Sequence, residues 1–295
     1  MKKKKILFII NPISGTNRKR KKEKTLKYIN KYIDTDKYHY KYIFTKAKNH
    51  AKSLSIEAAE NGYDIIVAVG GDGTINEVSK TLINTDIILG IIPLGSGNGL
   101  ARHLNIPLNL KKTIKIINKC KTKKIDTVIV NNDAFISIAG VGFDAYIAKK
   151  FEQNIHRGFK TYFNLILKKY INYEPKEYII EIDGKRTVEK SLFITVANSN
   201  QFGYNAIIAP NAKLNDGLID VCITKKPPVI KAIFISNLLF LRKIDKSKFI
   251  KIIQTKKIKI IRQQNNIINL DGEQILLSKE LNIKVNPLSL NVIVP

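Results

Sequence analysis

Residues 67–80 read VAVGGDGTINEVSK. The apolar run that leads into them begins at Ile65 and does not alternate with polar residues, as expected of a strand covered on both faces. It stops at Gly70-Gly71; Asp72, Gly73 and Thr74 follow, and only then does helical spacing begin. In an open α/β sheet, ligands bind at the carboxyl ends of the strands. Glycines there let a phosphate approach the backbone amides, and the next helix adds its N-terminal dipole. Thr74-Ile75-Asn76-Glu77 fits a capping box, with Thr74 capping the helix and Glu77 reaching back. Asp72 has no comparable task. A carboxylate among phosphate-facing amides is repulsive unless a cation or a substrate hydroxyl is also present, and phosphoryl transfer needs both. The plain alternative is a solvated aspartate in a Gly-Asp-Gly turn.

Outward from this stretch the same grammar repeats. Ile6–Ile10 reads as a buried strand, Thr25–Ile33 as a helix, Tyr38–Thr45 as a strand and His50–Asn61 as a helix. Thr74–Leu82 is helical and Ile87–Ile92 is a third short apolar run. Alternation of this kind predicts a doubly wound, mostly parallel α/β sheet. Two further loops end strands as Gly70–Thr74 does: Asn11-Pro12-Ile13-Ser14-Gly15, and Pro93–Ala101 with sequence PLGSGNGLA. Neither is a Walker loop, and neither carries a G-x-G-x-x-G fingerprint. Beyond the lysine-rich helical stretch Leu110–Lys124 the texture changes to short strands and turns, with Asp183-Gly184 as a hairpin signal. The expected division is an α/β domain over 1–125, to which a strand at about 288–295 returns, and an antiparallel β domain over 126–287. A ligand cleft is expected between them.

Hydrophobic residues make up 44% of the 295, enough for a real core and against disorder. The net charge of +27 points to an anionic partner, although AT-rich codon usage also produces such a lysine-, isoleucine- and asparagine-rich chain. Cys120 and Cys222 have no metal-like spacing and read as reduced thiols. No apolar run reaches the roughly 18 residues of a spanning helix, and MKKKKILFII is too short in its apolar part for a signal peptide. Val229–Phe240 reads as a core helix in preference to a surface insertion. His39, His50, His103 and His156 show no ligand spacing.

Taken in order, NPISG (11–15), GGDGT (70–74), PLGSGNGLA (93–101), GVGFDA (140–145), LNDGLIDV (214–221) and LDGE (270–273) resemble the diacylglycerol kinase catalytic-domain family, which includes bacterial lipid kinases and sphingosine kinases. GGDGT alone is shared with NAD kinases and phosphofructokinases; the set is far more specific. The resemblance implies an ATP-binding α/β domain followed by an antiparallel β-sandwich. It implies ATP contacts at Asn11, Pro12, Ile13, Ser14, Gly15, Thr45, Gly70, Gly71, Asp72, Gly73, Thr74, Ile75, Asn76, Ser96 and Asn98. Asp144 would face the lipid head group. Lys213, Asp216 and Leu218 would hold Mg²⁺, the first and last through their carbonyls. Glu273 or Asp271 would accept the proton, and Asp72 would act near the metal or the attacking hydroxyl.

One position departs from the bacterial pattern: Gly99 follows Asn98 where an aspartate is usual, closer to the sphingosine kinase version. The expected function is an ATP-dependent lipid kinase acting on a diacylglycerol-like or sphingoid lipid. Its expected location is cytoplasmic, in peripheral contact with anionic phospholipid on the inner face of a membrane. Nucleic acid is disfavoured as a partner, and an exposed antiparallel edge offers a route to a homodimer. The alternatives are an NAD kinase-like enzyme with a soluble acceptor, and a non-catalytic basic protein that binds membrane or nucleic acid. The second would have no need of Asp72, Asp271 and Glu273.

Overall fold

β-branched and leucine side chains dominate the strands of the N-terminal half, and glycine, asparagine or proline ends most of them. The computed structural model describes residues 3–15, 18–152 and 159–295. His156 lies outside these, as do the side chains of Arg18–Lys21 in the first basic run. The chain divides into two compact units, residues 1–125 with 288–295, and residues 126–287.

The N-terminal unit runs β1 (Lys4–Ile10), α1 (Arg18–Tyr32), β2 (Tyr38–Phe44), α2 (His50–Glu60), β3 (Ile65–Gly70), α3 (Asp72–Leu82), β4 (Ile88–Pro93), α4 (Gly99–His103) and α5 (Leu110–Lys119). The strands pair in parallel in the order β2-β1-β3-β4. Ile6, Phe8 and Ile10 face α1 and α5, packing with Ile29, Ile33, Ile114 and Ile117. The other face is covered by α2 and α3, which contact each other and the strands. Both sheet faces are therefore buried, which is why β3 is apolar throughout and fully buried. The helical stretch expected to reach Lys124 stops at Lys119, because Cys120 turns left-handed (φ 49°) and Thr122 starts the next strand.

The C-terminal unit takes over within β5 (Thr122–Val130). It continues with β6 (Asp133–Phe135), β7 (Ile138–Gly142), α6 (Phe143–Glu152), α7 (Phe159–Tyr170), β8 (Lys176–Ile182), β9 (Lys185–Ser191), β10 (Phe193–Ala197), β11 (Ile219–Thr224) and α8 (Val229–Phe240). The remainder is β12 (Ile250–Thr255), β13 (Lys257–Ile261), β14 (Asn266–Leu270), β15 (Glu273–Leu277) and β16 (Glu280–Ile293). One antiparallel sheet has the order β12-β11-β10-β7-β14-β15. The other is built from β5, β6, β8, β9, β13 and the first half of β16. Alternate residues of both sheets, among them Val141, Ile180, Val196, Val221, Ile260 and Leu270, meet in one apolar layer. This is a β-sandwich. Asp183 (φ 50°) and Gly184 (φ 77°) make the β8–β9 turn in the left-handed conformation that such a two-residue hairpin requires. The last residues of β16 belong to the N-terminal unit, where Asn291 and Val292 pair in parallel with Ile88 and Leu89 of β4.

Helix α8 corrects the core reading of Val229–Phe240. None of its twelve residues is buried. Ile235, Leu238 and Leu239 rest on an apolar cluster that includes Cys222, while Ile230 and Phe234 are 72% and 69% exposed. Its three polar residues, Lys231, Ser236 and Asn237, are spread round the helix, so no polar stripe marks the side that faces outward.

Candidate active site

Three strand ends of the N-terminal unit are tied into one cradle. Asn11 at the end of β1 donates from Nδ2 to Thr74 Oγ1 (3.0 Å), and its Oδ1 accepts from the Ile13 N–H. Gly71 N–H donates to Ser14 Oγ (3.3 Å). After β4, the N–H groups of Leu94 and Gly95 both donate to Gly70 O. Thr45 follows β2, with its N–H on Ile10 O; the next amide, Lys46, donates to His50 Nδ1. His50 thus has a structural task.

Asp72 links the second and third loops. Its Oδ2 accepts from Asn98 N–H at 2.8 Å and its Oδ1 from Gly99 N–H at 2.7 Å. Burial pushes this carboxyl up from its ordinary value, while the Gly99 and Asn98 amides and the Arg102 charge pull it back. Asn98 sits in the left-handed region (φ 52°) and donates from Nδ2 to Gly95 O. Its Oδ1 is buried without a partner, an acceptor left over inside the cradle. Ser96 is exposed at the tip of the same loop, whereas Asn76 is buried on α3.

The helix after β3 begins at Asp72, two residues before the expected cap, with Gly71 as N-cap and no side-chain capping bond. The capping-box reading of Thr74 and Glu77 is therefore replaced. Thr74 Oγ1 accepts from Asn11, and Glu77 Oε2 accepts from Ala51 N–H (3.0 Å), capping α2 from a neighbouring helix. Starting the helix early leaves the leading amides of α3, among them those of Gly73 and Thr74, without acceptors inside the helix. Such amides favour an anion.

The glycines divide by what surrounds them. A Cβ on Gly95 would lie 2.6 Å from the Gly71 Cα and 2.9 Å from Asn98 Oδ1, so this glycine lets two backbones touch. A Cβ on Gly73 would meet nothing within 4 Å. Gly95→Ala is expected to cost about 1–3 kcal/mol of stability through overpacking. Gly73→Ala is expected to fold as the wild type and to weaken ATP binding if the contact that the resemblance implies at Gly73 is made, read by urea titration beside calorimetry. Equal ATP affinity in Gly73→Ala and the wild type would place the phosphates elsewhere.

In the C-terminal unit, Asp144 occupies the first turn of α6 and is 8% exposed. Burial pushes its carboxyl up to about 6, partly offset by a hydrogen bond from Asn269 Nδ2 (3.2 Å). A Cβ at Gly140 would collide with Asp144 Oδ2, so the first glycine of GVGFDA is there to admit this carboxylate. Asn269 Oδ1 in turn accepts from Gly272 N–H (3.0 Å). A short chain of bonds therefore connects Asp144 to the turn of LDGE.

That turn is a two-residue hairpin between β14 and β15, with Asp271 (φ 51°) and Gly272 (φ 91°) both left-handed. Both oxygens of Asp271 are engaged. Oδ2 accepts from Ile136 N–H (2.7 Å), and Oδ1 from the N–H groups of Ser137 and Ile138 (2.8 Å each). Glu273 begins β15 and is partly exposed. Asp216 lies on an exposed turn, its Oδ1 accepting from Leu218 N–H, beside Gly217, whose N–H donates to Asp126 Oδ2. Lys213 is exposed one turn earlier. A carboxylate flanked by carbonyls is the all-oxygen donor set that Mg²⁺ takes while keeping several waters. Among the described residues there is no group of three His, Cys, Asp or Glu side chains placed to cage a metal. The residues fit a largely hydrated Mg²⁺.

The chain matches the diacylglycerol kinase catalytic domain over residues 5–130. It also matches the YegS C-terminal NAD kinase beta sandwich-like domain over residues 137–294. It belongs to the diacylglycerol kinase family of lipid kinases. A diacylglycerol kinase of Bacillus subtilis (strain 168) is 32% identical over 235 residues, covering 78% of this chain and 77% of that protein. A YegS-like probable lipid kinase of Enterobacter sp. (strain 638) is 29% identical over 258 residues, 85% of each. The crystal structure of a diacylglycerol kinase from Bacillus anthracis str. Sterne shares the fold, with a TM-score of 0.78 at 24% identity, covering 100% of this chain and 98% of that one. As a lipid kinase relative, this chain has ATP implied as its co-substrate. Among the described residues no helix is long and apolar enough to cross a membrane.

The lipid kinase framework also shows which residues the sequence reading passed over. Asn269 and Gly140 hold Asp144 and the LDGE turn. Asn269 stands directly before Leu270 in a strand otherwise apolar at its centre, and a polar residue there was the available signal.

Proposed function

We propose that this chain is an ATP-dependent lipid kinase that moves the γ-phosphoryl group of ATP to the hydroxyl of a diacylglycerol-like or sphingoid lipid. The observation that carries the reading is the cradle at the strand ends of the N-terminal unit. Its three loops are fastened to each other through Asn11, Ser14, Gly70 and Asp72, with Gly73 open and Asn98 Oδ1 lacking a partner. Preorganised backbone donors suit a transferring phosphoryl group, since they offset its charge without reorganising.

In this reading Asp72 is a positioning residue, holding the Asn98 and Gly99 amides in place. Asp144 receives the acceptor head group through its buried carboxylate. Glu273 takes the hydroxyl proton; Asp271 cannot turn toward a substrate without breaking three backbone hydrogen bonds. Asp216, with the carbonyls of Lys213 and Leu218, would hold Mg²⁺, which supplies charge neutralisation to its surroundings when bound. Incubation with γ-labelled ATP and Mg²⁺ tests the function: label should enter a lipid-extractable product, and its absence from every lipid offered would refute the reading.

The acceptor lies in a bilayer, and α8 supplies the contact. Ile230, Ile233, Phe234 and Leu241 are more than half exposed, and Lys225, Lys226, Arg242 and Lys243 flank the helix. Apolar insertion with a basic rim suits the anionic cytoplasmic leaflet. Burying one such side chain is worth about 1.5–3 kcal/mol. Ile230→Glu and Phe234→Glu should each lower vesicle affinity at least about tenfold while leaving the unfolding midpoint in place. Unchanged sedimentation with phosphatidylglycerol vesicles would remove α8 from the membrane contact.

A further inference from the structure

The C-terminal unit contains a second feature that the kinase reading does not use. A pocket of about 270 Å³ opens between α6, the segment leading into β8, and the connection from β13 to β14. Lys149 and Lys150 line it from α6, Tyr173, Lys176 and Tyr178 from the β8 side, and Arg262 from the end of β13. The one carboxylate in the lining is Glu177. Lys149, Lys150 and Lys176 make no ion pair among the described residues.

Arg262 is the decisive group, because it is 7% exposed. Its Nη1 donates to Ile267 O (3.3 Å) and its Nη2 to Leu277 O and Ser278 O (3.0 and 2.6 Å), while Nε is buried without a partner. All three acceptors are neutral carbonyls, and no carboxylate of the described residues pairs with it. Burial pulls the guanidinium down from its ordinary value, and the nearby Tyr178 phenol partly offsets this. Buried charges are ordinarily paired; this one is held by dipoles and has three lysines for neighbours. Burial pushes Tyr173 up to about 12 and also raises Tyr178, so both phenols stay protonated donors near neutral pH.

We propose that this pocket binds a phosphate-bearing anion. The lysines and phenols make the direct contacts, and Arg262 supplies the buried countercharge beneath them. A phosphomonoester dianion compensates more of this charge than a carboxylate or chloride would, and the pocket has room for a phosphoryl group with a few carbons. The same chemistry is offered by free phosphate and by a phosphatidate head group. No residue of the glycine loops lines it, and its test does not depend on catalysis.

The test uses the full chain at constant ionic strength, with Lys149→Gln/Lys176→Gln as the variant, since both lysines are exposed and their loss leaves packing intact. One arm titrates inorganic phosphate and follows both calorimetry and the thermal midpoint, which a ligand of the folded state raises. The other arm measures binding to phosphatidylcholine vesicles with and without phosphatidate. The wild type should bind saturably in at least one arm, and the double variant about tenfold more weakly, as the loss of charge-assisted hydrogen bonds predicts. Response to phosphate alone names the free anion, and response to phosphatidate alone names the head group. Phosphate held at the glycine loops would bind the variant and the wild type alike. That result, or no saturable binding in either arm, overturns the proposal.

Discussion

Asp271→Ala and Glu273→Gln will separate completely, although the two residues stand either side of one glycine. Asp271→Ala removes the acceptor for three backbone N–H groups and leaves a non-glycine, non-Asx residue at φ 51°. An unsatisfied buried amide costs about 1–3 kcal/mol, and the left-handed conformation adds about 1 kcal/mol for alanine. The variant should lose at least about 4 kcal/mol, visible as an early urea midpoint. Glu273→Gln keeps the size and shape of its side chain at the start of β15, so its midpoint should match the wild type. Phosphoryl transfer should nevertheless fall by roughly 10²–10⁴, the range for removing a general base. If Glu273→Gln stays active while Asp271→Asn is folded and inert, the two roles are exchanged.

Asp144→Asn should stabilise the protein while disabling it. The carboxyl sits at about 6 in the fold against an ordinary value of 3.8. Below pH 3.8 it is neutral in both states and costs nothing. Between there and about pH 6 the unfolded chain releases its proton while the folded chain keeps it, so stability falls as pH rises. The loss is complete above about pH 6. The difference between the two values corresponds to about 3 kcal/mol. Asparagine carries no charge to desolvate, so the variant should be more stable by up to about that amount at pH 8 and equal to the wild type near pH 3.5. Its transfer rate should drop roughly 10–100-fold, the worth of a hydrogen bond to a charged group. A gain in stability that does not depend on pH, or a loss at pH 8, would show that burial of the charge is not the cause. Asp220, 3% exposed and pushed up to about 6 mainly by its own burial, adds a slope of the same sign.

The parallel unit was legible because its inner strands β1, β3 and β4 are buried on both faces. Ile6–Ile10, Ile65–Val69 and Ile87–Ile92 are short apolar runs, each with a turn signal at its end. The sandwich was harder to read. β9, KRTVEKS, is an edge strand that is almost entirely polar, and its evidence lies in the Asp183-Gly184 turn and its partner β8, not in its own residues. β16 changes neighbours along its length, antiparallel to β13 and then parallel to β4. No local pattern encodes that. At the site, the residue types and loops were visible, but their tasks were not. Asp72 grips Asn98 and Gly99, twenty-six and twenty-seven positions away, and Glu77 reaches the first turn of α2. Asp271 bonds to amides 133–135 positions earlier. Those partners come together by topology, which spacing along the chain does not reveal.

The most direct test is transfer from γ-labelled ATP with Mg²⁺ into a panel of diacylglycerol, monoacylglycerol and sphingosine vesicles, with NAD as the soluble acceptor and Asp72→Asn run in parallel. A labelled lipid is expected from the wild type, with NAD unlabelled and little product from Asp72→Asn, whose amide presents an N–H where the loop offers one. Labelled NAD with every lipid blank would contradict it, as would full activity in Asp72→Asn.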